Sequence, residues 1–197
     1  MSLGFYLVIP LMIVLTIVQS TLLPQFPILG ATPQLWLIAT IAWALLRGWQ
    51  EGIIWAFVAG IFVDLFSAAP LGVTSLALMA AVGVVVFLQH HLPEYRVVIP
   101  VILTVIGTLV FWLVYLILLR IIMPIMIEQI QFLGISQLVS GTRATDLMAD
   151  ITQGYAFRGS LLSHVLTTAF LHSLLVLPLY WGLSKLEQMF RPKQVDL

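Results

Sequence analysis

The stretch VVIPVILTVIGTLVFWLVYLILLRIIM, residues 97–123, decides the fold of this chain, and Arg120 is its one charged side chain. An α-helix rises about 1.5 Å per residue, so this stretch would cover about 40 Å as a helix. The hydrocarbon core of a bilayer is about 30 Å thick and is crossed by roughly 17 to 25 residues. Residues 97–123 therefore predict a transmembrane helix.

The composition extends that prediction to the whole chain. Of its 197 residues, 61% are hydrophobic and 8% are charged, and the mean hydropathy is +1.13, whereas soluble domains carry about 25% charged residues. We expect an all-α integral membrane protein with a single membrane domain. The net charge of zero disfavours nucleic acid as a partner, and the absence of cysteine excludes disulfides and thiolate metal sites.

About six apolar stretches are long enough to cross a membrane, which predicts one bundle of six transmembrane helices. The predicted spans are residues 3–23, 33–46, 52–66, 71–89, 97–123 and 161–186, and residues 124–159 form the predicted outer loop. No Lys or Arg precedes the first apolar run and no small-residue cleavage site follows promptly. We therefore expect a retained first span and not a signal peptide.

The distribution of Lys and Arg predicts the orientation, because these residues are retained on the cytoplasmic side. With both termini in the cytoplasm, the inner side holds five cations and the outer side three. The inner ones are Arg47, Arg96, Lys185, Arg191 and Lys193, and the outer ones are Arg120, Arg143 and Arg158. We therefore predict that both termini are cytoplasmic.

Asp64 is the candidate site residue that the sequence singles out. It lies near the end of the third predicted span, where a carboxyl group is costly unless it faces protein or water. Counting back in fours gives Gly60, Ala56 and Gly52, a stripe of small residues that lets another helix approach closely. We expect this stripe to be a helix-packing face and Asp64 to point into the bundle.

Two roles for Asp64 stay open. The residues Ser67 to Pro70, followed by Gly72, predict a turn, and turn backbone at this depth must be buried in protein or line a polar cavity. Asp64 either accepts hydrogen bonds from amides of this turn or pairs with a cation, or it contacts a ligand or ion together with Ser67. Arg120 is one candidate cation, although it is also long enough to snorkel to the outer interface.

The final span carries a second polar stripe. Ser160, His164, Thr168 and His172 follow one another at four-residue spacing and so share a helix face. They predict either a proton path or polar pocket wall, or interhelical hydrogen bonds worth about 0.6–2 kcal/mol each. The two histidines lie about 12 Å apart along the helix axis, so they cannot bind one metal ion together.

Catalytic signatures are missing from the sequence. It has no G-x-S-x-G elbow, no H-E-x-x-H helix and no phosphate-binding glycine loop. We expect neither an enzyme nor a cofactor.

A series of motifs runs through the second to fourth predicted spans. It consists of Thr32-Pro33-Gln34-Leu35-Trp36, Trp43, Ala56-Phe57-Val58-Ala59-Gly60, Asp64-Leu65-Phe66-Ser67 and Pro70-Leu71-Gly72-Val73-Thr74-Ser75-Leu76. This order resembles the MreD family, in which a proline-containing helix start precedes a Gly-Phe-x-x-Gly helix ending in Asp-Leu-x-Ser and a Leu-Gly turn. The resemblance covers about half of the chain. Two features depart from it, since Ala68 stands where the family commonly has glycine and the connection 124–159 is longer than usual.

The resemblance implies a protein of the bacterial inner membrane that belongs to the elongasome. It implies a complex with MreC, a bitopic membrane protein, and through it links to MreB, RodA and penicillin-binding protein 2. It also implies a fold similar to the substrate-binding subunits of energy-coupling-factor transporters.

Three classes of function follow from these observations. The leading hypothesis is a non-enzymatic membrane scaffold that binds an MreC-like partner and helps to control peptidoglycan synthesis. The alternative is a small-solute-binding or transport subunit with a polar pocket near Asp64. A third class, an intramembrane enzyme, would depend on His164 or His172.

Overall fold

The computed structural model describes residues 4–21, 32–67, 70–92, 98–132 and 161–190, and the regular structure within these ranges is helical. Six helices are present there. They are α1 (Gly4–Thr21), α2 (Leu35–Arg47), α3 (Trp49–Phe66), α4 (Val73–Gln89), α5 (Val98–Phe132) and α6 (Leu161–Phe190). Arg96, Arg143, Arg158, Arg191 and Lys193, on which part of the predicted orientation depends, lie outside the described residues.

The regular structure of the described residues is all-helical, and three helical segments among them are long and apolar enough to cross a membrane. These are Trp49–Phe66, Val98–Ile122 and Val165–Leu186. Shorter apolar helices are Ile9–Gln19, Leu35–Arg47 and Val73–Gln89. The helical membrane architecture thus agrees with the composition, and the count of six spans stays a prediction.

Two helix boundaries differ from those predicted. α3 begins at Trp49 and not at residue 52, because Gly48 alone, with φ 81°, separates it from α2. Glycine adopts this left-handed conformation without a steric penalty. α5 continues past Pro124 to Phe132, so the first nine residues of the predicted outer loop, 124–132, are helical. Residues 133–159 are outside the described ranges. Proline is tolerated inside membrane helices because neighbouring groups satisfy the carbonyl that it leaves free.

α2 is the central helix of the bundle. It contacts α1, α3, α4, α5 and α6, and all its side chains from Trp36 to Leu45 are buried. With 13 residues it is about 20 Å long, which is shorter than the hydrocarbon core. The other helices therefore surround α2 and separate it from the lipid.

Small residues set the closest helix contacts. Gly60 of α3 lies directly against the backbone of Ser75 in α4, and a Cβ on Gly52 would lie 2.6 Å from that of Ala44 in α2. A Cβ on Gly107 of α5 would lie 2.7 Å from Ile41 Cδ1. Close approach of backbones through small residues is the usual packing mode of membrane helices.

The junction of α2 and α3 is tied by an ion pair and a pair of indoles. Arg47 donates hydrogen bonds to both carboxylate oxygens of Glu51, at 3.1 and 2.9 Å. The indole N–H of Trp43 donates to the same carboxylate at 3.2 Å. The Trp43 ring stacks on Trp55 with 4.2 Å between centroids. These contacts fix the sharp reversal of the chain at Gly48.

Substitution of Gly60 by alanine tests the α3–α4 contact. The added methyl group would overlap the Cα and N atoms of Ser75, so the helices must separate. We expect the free energy of unfolding to fall by about 1–3 kcal/mol, measured by thermal unfolding of the purified protein. Gly182→Ala in α6 is the matched control, because nothing lies within 4 Å of its added Cβ. Equal stabilities of the two variants would contradict the close contact.

Candidate functional site

The candidate site is the turn that joins α3 to α4, with Asp64 at its centre. Asp64 is buried, with 3% of its surface exposed. Its Oδ2 accepts a hydrogen bond from the N–H of Gly72 at 2.7 Å, and its Oδ1 accepts one from the N–H of Thr74 at 3.3 Å. One carboxylate at the end of α3 therefore satisfies two amides at the start of α4.

This arrangement supplies a cap that α4 does not have locally. Gly72 is the N-cap residue of α4 and provides no side-chain hydrogen bond. The first N–H groups of any helix lack partners within the helix, and the N-terminus carries a partial positive charge that favours a carboxylate. Asp64 lies eight positions before Gly72, in the preceding helix. Its carboxylate accepts hydrogen bonds from the amides of Gly72 and Thr74 and places a carboxylate at the N-terminus of α4.

The turn residues place the amides against Asp64. Gly72 has φ 93°, in the left-handed region that glycine tolerates, and the carbonyl of Pro70 accepts from the N–H of Val73 at 3.3 Å. Ser67 is extended, with φ −111°, and its N–H donates to the carbonyl of Asp64 at 3.3 Å. α3 therefore ends directly beside the residues that start α4, and Ala68 lies outside the described residues.

The small-residue stripe holds the same two helices together further along. Gly52, Ala56 and Gly60 are all buried, and Ser75 Oγ donates to the carbonyl of Phe57 at 3.2 Å. Asp64 and the stripe thus lie on one side of α3. The structure brings together the predicted packing face, the predicted turn and the predicted acid.

Arg120 lies elsewhere on the surface of the bundle. Its side chain is exposed on α5, whereas Asp64 is buried and bonded to α4. Within the described ranges, the ion pair of the structure joins Arg47 to Glu51. The predicted alternative of a salt bridge between Arg120 and Asp64 is therefore not formed among the described residues, where the hydrogen bonds of the Asp64 carboxylate come from two backbone amides.

His172 of α6 is a second buried polar centre. It is 0% exposed, and its Nε2 accepts a hydrogen bond from the backbone N–H of Gln34 at 2.9 Å. Its Nδ1 lies 2.9 Å from Oγ1 of Thr108 on α5. The ring therefore connects α6 both to the residue that precedes α2 and to the middle of the apolar part of α5.

The hydrogen bonds of Thr108 define the protonation of this ring. The hydroxyl of Thr108 donates to the carbonyl of Thr104 at 2.8 Å, so its oxygen acts as the acceptor towards His172. The imidazole then carries its proton on Nδ1 and accepts at Nε2, as a neutral ring does. Both nitrogens are engaged, so this ring has no free lone pair with which to bind a metal or accept a proton.

The rest of the predicted stripe on α6 is described only in part. Thr168 is buried one turn before His172 and shares its face. The side chain of His164 and all of Ser160 lie outside what the structure describes. No group of three His, Asp or Glu side chains within the described ranges could hold a metal ion.

Sequence reasoning missed the groups that hold the start of α2. The N–H of Leu35 donates to Oε1 of Gln19 in α1 at 3.0 Å, next to the bond from Gln34 to His172. Gln34 and His172 are 138 positions apart, and no spacing rule connects such residues. The bond between Arg47 and Glu51 did have a signal, the i,i+4 spacing of opposite charges.

One of three comparisons with known proteins identifies a family. The family model described as rod shape-determining protein MreD matches residues 1–144 of the chain. None of the curated proteins and none of the solved structures compared with the chain matches it.

Replacing Asp64 by leucine tests the cap on α4. Leucine has a similar size but no acceptor, so the amides of Gly72 and Thr74 are left unpaired in a buried place. We expect a loss of about 1–3 kcal/mol for each unpaired donor, seen as a lower unfolding temperature. Hydrogen exchange should also become faster at both amides. Leu65→Ala, at a neighbouring side chain that is 61% exposed, should change stability by less than about 0.5 kcal/mol; unchanged exchange in Asp64→Leu would refute the cap.

Proposed function

Because the chain belongs to the MreD family, we propose that it serves rod-shape determination as a non-enzymatic membrane scaffold. The observation that carries the proposal is the match of the family model to residues 1–144. That range contains α1 to α5 and therefore the whole cap between Asp64 and α4. The role in rod-shape determination follows from the family, and the scaffold mechanism is our inference.

In this proposal the protein is a multi-pass protein of the bacterial inner membrane, with six spans in one bundle and cytoplasmic termini. The ends of the helices support it. Lys185 lies over the ring of Trp181, 3.8 Å from the centroid, near the end of α6. Tryptophan and lysine are typical of the membrane interface, and lysine favours its cytoplasmic side. Arg47 lies at the end of α2, which packs against α6.

The proposed partner is a bitopic, MreC-like membrane protein, through which contacts with MreB, RodA and penicillin-binding protein 2 would follow. The outer helices offer apolar faces for a single transmembrane helix. One such face on α6 consists of Leu166, Phe170, Leu174, Leu177 and Trp181, which are 39–65% exposed. α2 is excluded from this role because its side chains are buried among the other helices.

A scaffold is favoured over an enzyme because the polar groups of the bundle are engaged in holding helices. Asp64 binds two amides of α4, and His172 binds Gln34 and Thr108 through both nitrogens. A general acid or base needs a hydrogen-bonding position that can reach a substrate. Both side chains are buried, with 3% of Asp64 and 0% of His172 exposed, so neither reaches a substrate in this arrangement.

The alternative is a small-solute-binding or transport subunit, on a fold similar to the substrate-binding subunits of energy-coupling-factor transporters. The buried polar residues around His172 favour it, because polar residues inside membrane proteins often line substrate paths. Screening the purified protein against vitamins and lipids by thermal shift separates the two functions. A ligand at 100 times its Kd should stabilise the protein by about 2.7 kcal/mol; for a scaffold we expect no shift with vitamins.

Depletion in a rod-shaped bacterial host tests the proposed function. We expect the cells to become round, and expression of the wild-type chain should restore rods. Asp64→Leu should fail, because the α3–α4 unit is then no longer held in one geometry. Cell width and length from microscopy provide the measurement.

Two controls make this result specific. Gly182→Ala, which meets no neighbouring atom within 4 Å, should restore rods as well as wild type does. Membrane levels of each variant, from immunoblots, separate loss of function from loss of protein. The scaffold mechanism also requires that an MreC-like protein co-purify with the wild-type chain from membranes, and a chain that purifies without it would argue against that mechanism.

A further inference from the structure

Among the described residues, two buried side-chain oxygen atoms at the start of α2 and on α5 make no hydrogen bond. One is Oγ1 of Thr104, a residue of α5 that is 0% exposed. The other is the side-chain oxygen Oε1 of Gln34, the residue that precedes α2. Buried polar atoms in proteins almost always have a partner, either in the protein or in an ordered water molecule.

The hydrogen bonds of His172 place these two atoms in one region. Thr104 lies one helical turn before Thr108, so their Cβ atoms are about 5–6 Å apart. Thr108 contacts one nitrogen of His172 and Gln34 contacts the other. Thr108 and Gln34 therefore flank the same imidazole ring, Thr108 from α5 on one side and Gln34 from the start of α2 on the other. Thr104 lies one helical turn from this contact on α5.

Thr104, Thr108 and His172 are each 0% exposed, so bulk water does not reach them. His172 is seven residues into the apolar segment Val165–Leu186, about 10 Å along the helix. Thr108 is ten residues into the segment Val98–Ile122, about 15 Å along it. A polar group at this depth has only the protein, or a molecule that the protein holds, as its partner.

The chemistry of the two oxygens defines what would bind there. An amide oxygen only accepts, so its partner must donate a hydrogen bond, and a threonine hydroxyl both donates and accepts. The ring of His172 is neutral and already bonded at both nitrogens, and the charged side chains Asp64 and Glu51 are bonded elsewhere. The region therefore suits a small neutral molecule with at least two O–H donors.

We propose that a water molecule binds between Thr104 Oγ1 and Gln34 Oε1, beside the imidazole of His172. This water joins α5 to the residue that precedes α2. His172 of α6 contacts the same two parts of the chain. Bound water with two or more polar partners is a regular part of protein interiors. The proposal does not depend on the proposed function, because it rests on the hydrogen bonds alone.

Hydroxyl-radical footprinting by radiolysis tests the proposal on the whole protein in lipid nanodiscs, with mass spectrometry of the oxidised peptides. Radicals formed from a bound water oxidise the side chains next to it even where bulk solvent is excluded. We expect oxidation of His172 well above that of Trp55, which is equally buried at 1% exposed but stacked on Trp43. Equal or lower oxidation of His172 would overturn the proposal.

Thr104→Val provides the decisive variant, because valine keeps the shape and removes the hydroxyl. If water binds there, oxidation of His172 should fall to the level of Trp55 and the unfolding temperature should fall by about 2–4 °C. If Oγ1 has no partner at all, removal of an unsatisfied buried group should raise the unfolding temperature instead. That rise, or unchanged oxidation of His172, would refute the site.

Thr40→Val is the matched control. Thr40 is also 0% exposed, but its hydroxyl already donates to the carbonyl of Trp36 at 2.7 Å. This variant should leave the oxidation of His172 as in the wild type. A decrease equal to that of Thr104→Val would mean that the labelling reports general packing and not a bound water, which would also overturn the proposal.

Discussion

The carboxylate of Asp64 at the start of α4 is the interaction on which the rest of the structure depends. The first amides of a helix have no partners within the helix, so other groups must satisfy them. Asp64 satisfies two of them from the end of α3, and this fixes where α4 begins relative to α3. Gly60 of α3 lies against the backbone of Ser75 in α4, because the turn sets the position of α4 relative to α3.

The same constraint explains the less obvious contacts around α2. This helix is only 13 residues long and buried on all sides, so its first amides lie within the bundle. Gln19 of α1 and His172 of α6 accept from the amides of Leu35 and Gln34, and Thr108 of α5 supports the histidine. Two surrounding helices, α1 and α6, are therefore bonded directly to the start of α2, and α5 is bonded to it through the histidine.

The inward position of Asp64 could be predicted from the sequence, but the hydrogen-bond partners of His172 could not. Asp64 was recognisable because an acid in an apolar helix must face protein, and the spacing of Gly52, Ala56 and Gly60 defined its face. The partners of His172 were not recognisable, since one of them is a backbone amide 138 positions away. The sequence predicts a third span from residue 52 and a fifth up to residue 123, whereas α3 begins at Trp49 and α5 ends at Phe132. A single glycine is enough to separate α2 from α3, and a proline can lie inside a membrane helix.

A scaffold of this construction uses its polar and its apolar surfaces for different tasks. Hydrogen bonds between membrane helices contribute only about 0.6–2 kcal/mol each, but they are directional, so the few at Asp64 and His172 define how the helices are arranged. The apolar contacts of outward side chains on α6, such as Phe170 and Leu174, are not directional. These side chains can therefore pack against lipid or against another helix. Recognition by a partner helix must then come from the shape of these outer faces, and that shape is held by the buried polar contacts.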